Sequence, residues 1–425
     1  MAELYKKITL DNGVRIIAHH MSAKQSLALG VWIKIGGRYE SSKNKGISHF
    51  MEHLLFKGTK KYSCRKIKES IEGIGGVLNG FTSEELTCYL VKVPNQYLEN
   101  SLDVLSDMVI NPTLPAGELE KEKTVILEEI KMYKDLPQSY VYELLDELLW
   151  PNQPLGSPII GTEESVSKIT RVDLDLFKSR FYTPSNIIVS AAGNLDYERL
   201  FKAVTKLFSS LKKTNVNTFS PAKVKQNIPQ MKVLRKDTEQ THLALGFHGL
   251  EREHPLKHAL GILHIVLGAN MSSRLFNELR EKRGLAYEIG SGVKRFQDTG
   301  AFIVHAGIDN RKVVETIKLI SKELKKTKDV LITKDEFKRA KEFYFGQLML
   351  SLEDSLDHML WIGETTSVLN KTYSLEDIIN EVNSVQREDV RRVARLVFKE
   401  DKLNLSLIGP VEPIEGKIRK EIGVE

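Results

Sequence analysis

The chain has 425 residues, 41% of them hydrophobic and 28% charged, with a net charge of +6. That length exceeds what one core usually organises and points to two domains of about 200 residues. The balance describes a soluble globular protein. No basic stripe interleaved with aromatics argues for nucleic acid, and no run of about 18 apolar residues argues for a membrane span. Two cysteines, Cys64 and Cys88, lack ligand-like spacing and imply no disulfide framework. The segment Met1 to Lys7 has no apolar signal core, so a cytoplasmic location is expected.

Lys7 to His19 reads as a hairpin turning at Asp11-Asn12-Gly13. Leu27 to Ile35 is an apolar strand ended by Gly36-Gly37, and a polar loop, Arg38 to Lys45, leads into a helix. That helix contains His49-Phe50-Met51-Glu52-His53. At helical spacing, Ile47, Phe50, Met51, Leu54 and Leu55 share one side of it. His49, Glu52, His53 and Phe56 share the opposite side. The helix therefore has a packing side and a chemistry side. Two histidines four apart stand one turn above each other and can hold one metal ion. The order inverts the commoner His-Glu-x-x-His and is itself a zinc-hydrolase signature.

Ser63 to Glu72 is an amphipathic helix closed by Gly73-Ile74-Gly75-Gly76, and Val77 to Val93 reads as two strands around Thr82-Ser83-Glu84-Glu85. Asn100 to Ile110 and Glu118 to Lys134 are helical by their period. On the second, Glu122 and Glu129 stand two turns apart on one line along the helix, while Glu128 points away from it. Val125 and Met132 flank the two carboxylates on one side, and Tyr133, Ile126 and Ile130 on the other. Two acids inside an apolar arc need a compensating divalent metal, or else stand at a partly exposed edge.

Val141 to Leu149 continues helical, Pro151 to Gly161 is a loop, Val172 to Phe181 a helix and Ile187 to Ala192 a buried strand. After a helix at Tyr197 to Leu211, the composition of Lys212 to Gln230 is that of a linker. The predicted domains are thus 1–212 and 231–425, joined by 213–230. The second half repeats the first. Leu27-Ala28-Leu29-Gly30 recurs as Leu243-Ala244-Leu245-Gly246, an offset of 216, and the same offset brings Arg171, Asp173, Ser190 and Gly193 onto Arg387, Asp389, Ser406 and Gly409. Under it His49, Glu52 and His53 meet Ile265, Gly268 and Ala269, so the second copy has no metal site.

Further along, Ser272 is expected to cap a helix that Gly284 ends, with Arg280 in its last turns and Tyr287 on the strand beyond.

Four separated stretches carry a resemblance: Gly46 to Thr59, Asn79 to Thr87, Glu122 to Glu129, and Met271 to Tyr287. Together they resemble the pitrilysin (insulinase) family of zinc peptidases, especially bacterial homologues of the mitochondrial processing peptidase β-subunit. The resemblance implies one Zn2+ per chain held by His49, His53 and Glu129, the last being 76 positions beyond His53. It implies Glu52 as general base and Glu122 as the acid that orients a ligand histidine. Asn79, Gly80, Phe81 and Thr82 match the strand that pairs with the peptide backbone, with Gly80 where Ala is usual and Leu86 where His is often seen. Arg280 and Tyr287 match an active-site pair supplied by the second domain.

The implied architecture is α+β: two duplicated domains, each a mainly antiparallel sheet flanked by helices, facing across a cavity. The implied activity is zinc-dependent endopeptidase cleavage of short or unfolded peptides, by a homodimer or a pairing with a homologous chain. The alternatives are a catalytically inactive scaffold subunit of the same fold and a specialised presequence or propeptide processing peptidase.

Overall fold

The computed structural model describes residues 4–213 and 218–424; residues 1–3, residues 214–217 of the expected linker, and Glu425 lie outside the described residues. Strands β1 (Lys6–Thr9), β2 (Arg15–His20), β3 (Ser26–Ile33), β4 (Val77–Thr82), β5 (Thr87–Pro94) and β6 (Ile187–Gly193) form one sheet. Their order is β1-β2-β6-β3-β5-β4, and every pairing is antiparallel except β2 with β6. Helices α1 (Ile47–Leu55), α2 (Cys64–Glu72), α3 (Leu98–Ile110), α4 (Ala116–Asp135) and α5 (Pro137–Leu149) follow the predicted periods closely. β3 is apolar and buried along nearly its whole length because both sheet faces are covered.

The second sheet contains β7 (Gln230–Arg235), β8 (Gln240–His248), β9 (Ala286–Arg295), β10 (Gly300–Asp309) and β11 (Asn404–Gly409), ordered β7-β11-β8-β10-β9. Here too a single pair, β7 with β11, is parallel. Without β1 the two orders match strand for strand, so the duplication read from the 216-residue offset extends to topology. The registers differ slightly: Gly30 pairs with Ser190, whereas Gly246 pairs with Asn404 instead of Ser406. A slip of two residues keeps every side chain on its own face.

The compact units are not the two uninterrupted stretches that the repeat suggested. Residues 132–157, including α5, join the unit of the second sheet, and residues 349–374 join that of the first. α5 lies on β8 and β11, where Ser406 Oγ donates to the Val141 carbonyl at 2.7 Å. The helix Ser355–Leu369 lies on β3 and β6 and buries Met359 and Ile362 against Ala28, Trp32 and Ile188. The two helices are counterparts, each seated on the other half's sheet. The glycine of the repeated Leu-Ala-Leu-Gly makes room for them. A β-carbon at Gly30 would meet Met359 Sδ at 2.6 Å, and one at Gly246 would meet Leu145 Cδ2 at 2.9 Å.

Parts of the expected linker are held in place. Ala222 N–H donates to Asp298, Lys223 N–H to Gln153, and Gln226 Nε2 to the Leu403 carbonyl, so 222–226 pack with the second sheet. The helix expected to reach Leu211 ends at Phe208.

Where the helix Ser355–Leu369 meets β2, His358 stacks on His19 with ring centroids 4.4 Å apart. Nδ1 of His358 donates to the Leu352 carbonyl, and Nε2 is buried without a partner among the described residues. A proton on Nε2 would find no acceptor. Burial, reinforced by the His19 charge, pushes His358 down to about 4. The unfolded ring titrates near its ordinary value of about 6.5. Between those values the folded state binds fewer protons, so stability falls as pH drops from about 6.5 to about 4. Thermal melting followed by circular dichroism is expected to show that loss, and His358→Gln is expected to flatten the slope. An unchanged slope in the variant would contradict the assignment.

Candidate metal centre

The buried side of α1 carries Ile47, Phe50, Met51, Leu54 and Leu55, each with no exposed surface. Its N-terminus is held by Glu40, whose carboxylate accepts from the N–H groups of Gly46 (2.7 Å) and Ser48 (2.8 Å). The remaining face presents His49, Glu52 and His53, as the spacing required. On α4, Leu119, Glu122, Ile126 and Ile130 are buried, but Val125 and Met132 are half exposed. The apolar arc is therefore narrower than its sequence suggested, and Glu129 stands at its margin. Glu128 points away and pairs with Lys131.

His49, His53 and Glu129 each bring one ligand atom to within 4.8 Å of the others, the one such group among the described residues. His53 Nε2 lies 3.8 Å from Glu129 Oε2, and its Nδ1 lies 3.1 Å from Glu122 Oε2. Nδ1 of His53 thus donates to the Glu122 carboxylate, which turns Nε2 towards Glu129. Nδ1 of His49 is buried with no partner among the described residues. Burial and the neighbouring His53 charge push His49 down to about 3, so its ring is neutral. Two imidazoles, that of His49 neutral and with an unpartnered Nδ1, and one carboxylate are a donor set that fits Zn2+.

Glu52 is buried beside this group and takes a hydrogen bond from Thr82 Oγ1 at 3.4 Å. Burial raises its pKa, and the charge of Glu129 adds to the rise against the opposing pull of His53 and Thr82. Thr82 and Gly80 lie on β4, the outermost strand of the first sheet. Along β4 the side chains alternate, with Asn79 and Phe81 exposed and Gly80 and Thr82 half-buried. A β-carbon at Gly80 would stand 3.1 Å from Glu52 Oε1. The sheet edge therefore runs directly past the carboxylate.

In the other unit, Arg280 and Tyr287 are neighbours, the guanidinium 5.2 Å from the phenol ring centre, with Tyr287 74% exposed. Arg280 lies in a π-helical turn, Phe276–Glu281, which periodicity did not foreshadow. Gly284 ends that turn in a left-handed conformation, as expected. Ser272 does not cap it: the hydroxyl and N–H of Ser272 both donate to Asn270 Oδ1.

Sequence reasoning missed two residues that support the candidate site, one against Glu122 and one at the start of α1. Lys57 Nζ lies 2.6 Å from Glu122 Oε1, and Glu40 caps α1. A buried acid requires a nearby cation, and Lys57, one turn beyond His53, was the available signal.

A helix that sets two imidazoles and a carboxylate beside an acid from a second helix is how metallohydrolases hold an ion and a base together. Residues 15–163 match the family description Insulinase (Peptidase family M16), and residues 168–344 match Peptidase M16 inactive domain. YmxG of Bacillus subtilis, named an uncharacterized zinc protease, is 41% identical over 96% of this chain and 98% of its own. An uncharacterized zinc protease of Streptomyces coelicolor is 34% identical over 96% and 90%. A solved protease from Helicobacter pylori superposes with a TM-score of 0.89 at 27% identity, covering 96% of this chain and 99% of that one. The chain belongs to the insulinase family of peptidases, M16.

Replacing Glu40 with Ala leaves two N–H groups at the α1 N-terminus unsatisfied. The expected loss is about 1–2 kcal/mol, read from the urea midpoint. A midpoint equal to wild type would show that the cap contributes nothing.

Proposed function

We propose that this chain is a zinc-dependent endopeptidase acting on short or unfolded peptides. The observation that carries the reading is the convergence of His49, His53 and Glu129 beside the buried base Glu52. His49, His53 and Glu129 would hold one Zn2+ per chain. When bound, the ion supplies Lewis acidity, polarising the scissile carbonyl and lowering the pKa of water towards about 7.

The remaining chemistry belongs to side chains. Glu52 takes the proton of the attacking water and returns it to the leaving amine, a task suited to a carboxylate whose pKa burial has raised. Thr82 holds that carboxylate by its hydrogen bond. Residues Asn79 to Thr82 lie on an end strand of the first sheet, on which a peptide backbone would add as a further strand, reading backbone more than side chain. Glu122 orients His53. Arg280 would hold a substrate carbonyl or carboxylate and Tyr287 the developing oxyanion, roles supported by the family resemblance and by the exposed phenol. The chain is proposed to work as a homodimer or with a homologous partner.

Glu52→Gln is expected to retain zinc while kcat/KM on a peptide library falls by about 10²–10⁴-fold. A variant that still hydrolyses peptides at the wild-type rate would remove Glu52 from this role. Chelation is expected to abolish cleavage and added zinc to restore it. Wild-type protein that binds zinc yet cuts no peptide would favour the scaffold reading. Cleavage confined to a single precursor site would favour a processing peptidase.

A further inference from the structure

The proposed metal centre gathers more negative charge than one ion offsets. Glu52, Glu122 and Glu129 are three carboxylates in and around one small volume, and Glu122 is only 6% exposed. Its two oxygens have separate tasks: Oε2 faces Nδ1 of His53 at 3.1 Å, and Oε1 faces Lys57 Nζ at 2.6 Å. Lys57 is itself largely enclosed, with 22% of its side chain exposed. Formal charges of three carboxylates, one dication and Lys57 sum to zero.

The backbone around Lys57 is built to keep this cation where it is. The Lys57 N–H closes the end of α1 on the Leu54 carbonyl at 3.0 Å. The next residue, Gly58, accepts from both the N–H and the hydroxyl of Thr113, each at 3.1 Å. Thr59 bridges Pro112. The turn carrying Lys57 is thereby tied to the segment that leads into α4, the helix bearing Glu122 and Glu129. The lysine is held from both sides of the centre.

We infer that Lys57 is a positioning residue for zinc binding: it clamps Glu122 so that Glu122 holds the His53 imidazole with Nε2 towards the metal. This rests on the metal reading proposed above. Without the ammonium, the carboxylate would be free to rotate and its buried charge would be unbalanced. His53 would then lose a fixed ring orientation and a fixed tautomer.

The test uses the full chain and Zn2+ alone, with affinity read by competition against a chromogenic chelator. Lys57→Met and Glu122→Gln are each expected to weaken zinc binding by about 10–100-fold. Lys57→Arg is expected to retain most of it. Because the two act through one contact, the double variant is expected to bind zinc no more weakly than Glu122→Gln alone. Ring 15N shifts of the metal-free protein are expected to show His53 protonated on Nδ1 in wild type and as a tautomer mixture in Lys57→Met, a change that loss of stability alone would not produce. Should Lys57→Met not fold, Lys57→Gln carries the same comparison. Wild-type affinity in the methionine variant, or losses in the double variant that multiply, would overturn the role of Lys57 while leaving the metal reading intact. Absence of zinc binding by wild type would overturn both.

Discussion

Three carboxylates and two imidazoles crowd together where α1 meets α4, and the cost of keeping them there governs the surrounding structure. Acidic groups removed from water are stable only when paired, hydrogen-bonded or bound to a cation. Each group here has such an arrangement: Glu122 between His53 and Lys57, Glu52 against Thr82, Glu129 opposite His53. The opposite face of α1 is fully buried, which denies the helix freedom to rotate away from this congestion. Rigid packing on one side makes a demanding electrostatic arrangement tenable on the other.

The two sheets express one topology with unequal chemistry. Where the first copy has His49, Glu52 and His53, the second has Ile265, Gly268 and Ala269. The helix Lys257–Gly268 is accordingly apolar and buried almost throughout. What the second copy keeps is the scaffold, including the glycine beneath the crossing helix and the serine of its neighbouring strand. Ser190 accepts from the Trp32 indole, while Ser406 donates to a backbone carbonyl of α5. The equivalent serine, shifted by two residues in register against its neighbour strand, has taken a different partner, as duplicated folds permit once the seat of a helix is preserved.

Much of this was legible from periodicity. The division of α1 into two faces, the grouping of Glu122 with Glu129 apart from Glu128, the hairpin at Asp11-Asn12-Gly13 and the strand through Gly80 all follow from helical and strand spacing, whereas the choice of Glu129 as third ligand came from the family resemblance. The breadth of the apolar arc on α4 was overread, because periodicity ranks residues around a helix without saying how far its neighbours extend. Val125 and Met132 lie beyond that reach. The cap expected from Ser272 failed for a related reason: Asn270, two residues away, competes for the same groups.

By itself the sequence determined which side chains share a face, where the strands turn, that the chain is a tandem duplication, and which copy carries the two-histidine motif. Only the tertiary structure decided which sheet α5 and the helix Ser355–Leu369 cover, that Lys57 meets Glu122, that Thr82 holds Glu52, and that Arg280 sits on a π-helical turn. The first set depends on local geometry repeated every few residues. Apart from the π-helical turn, the second depends on contacts between segments tens to hundreds of residues apart, whose partners are selected by packing and charge compensation in the folded chain.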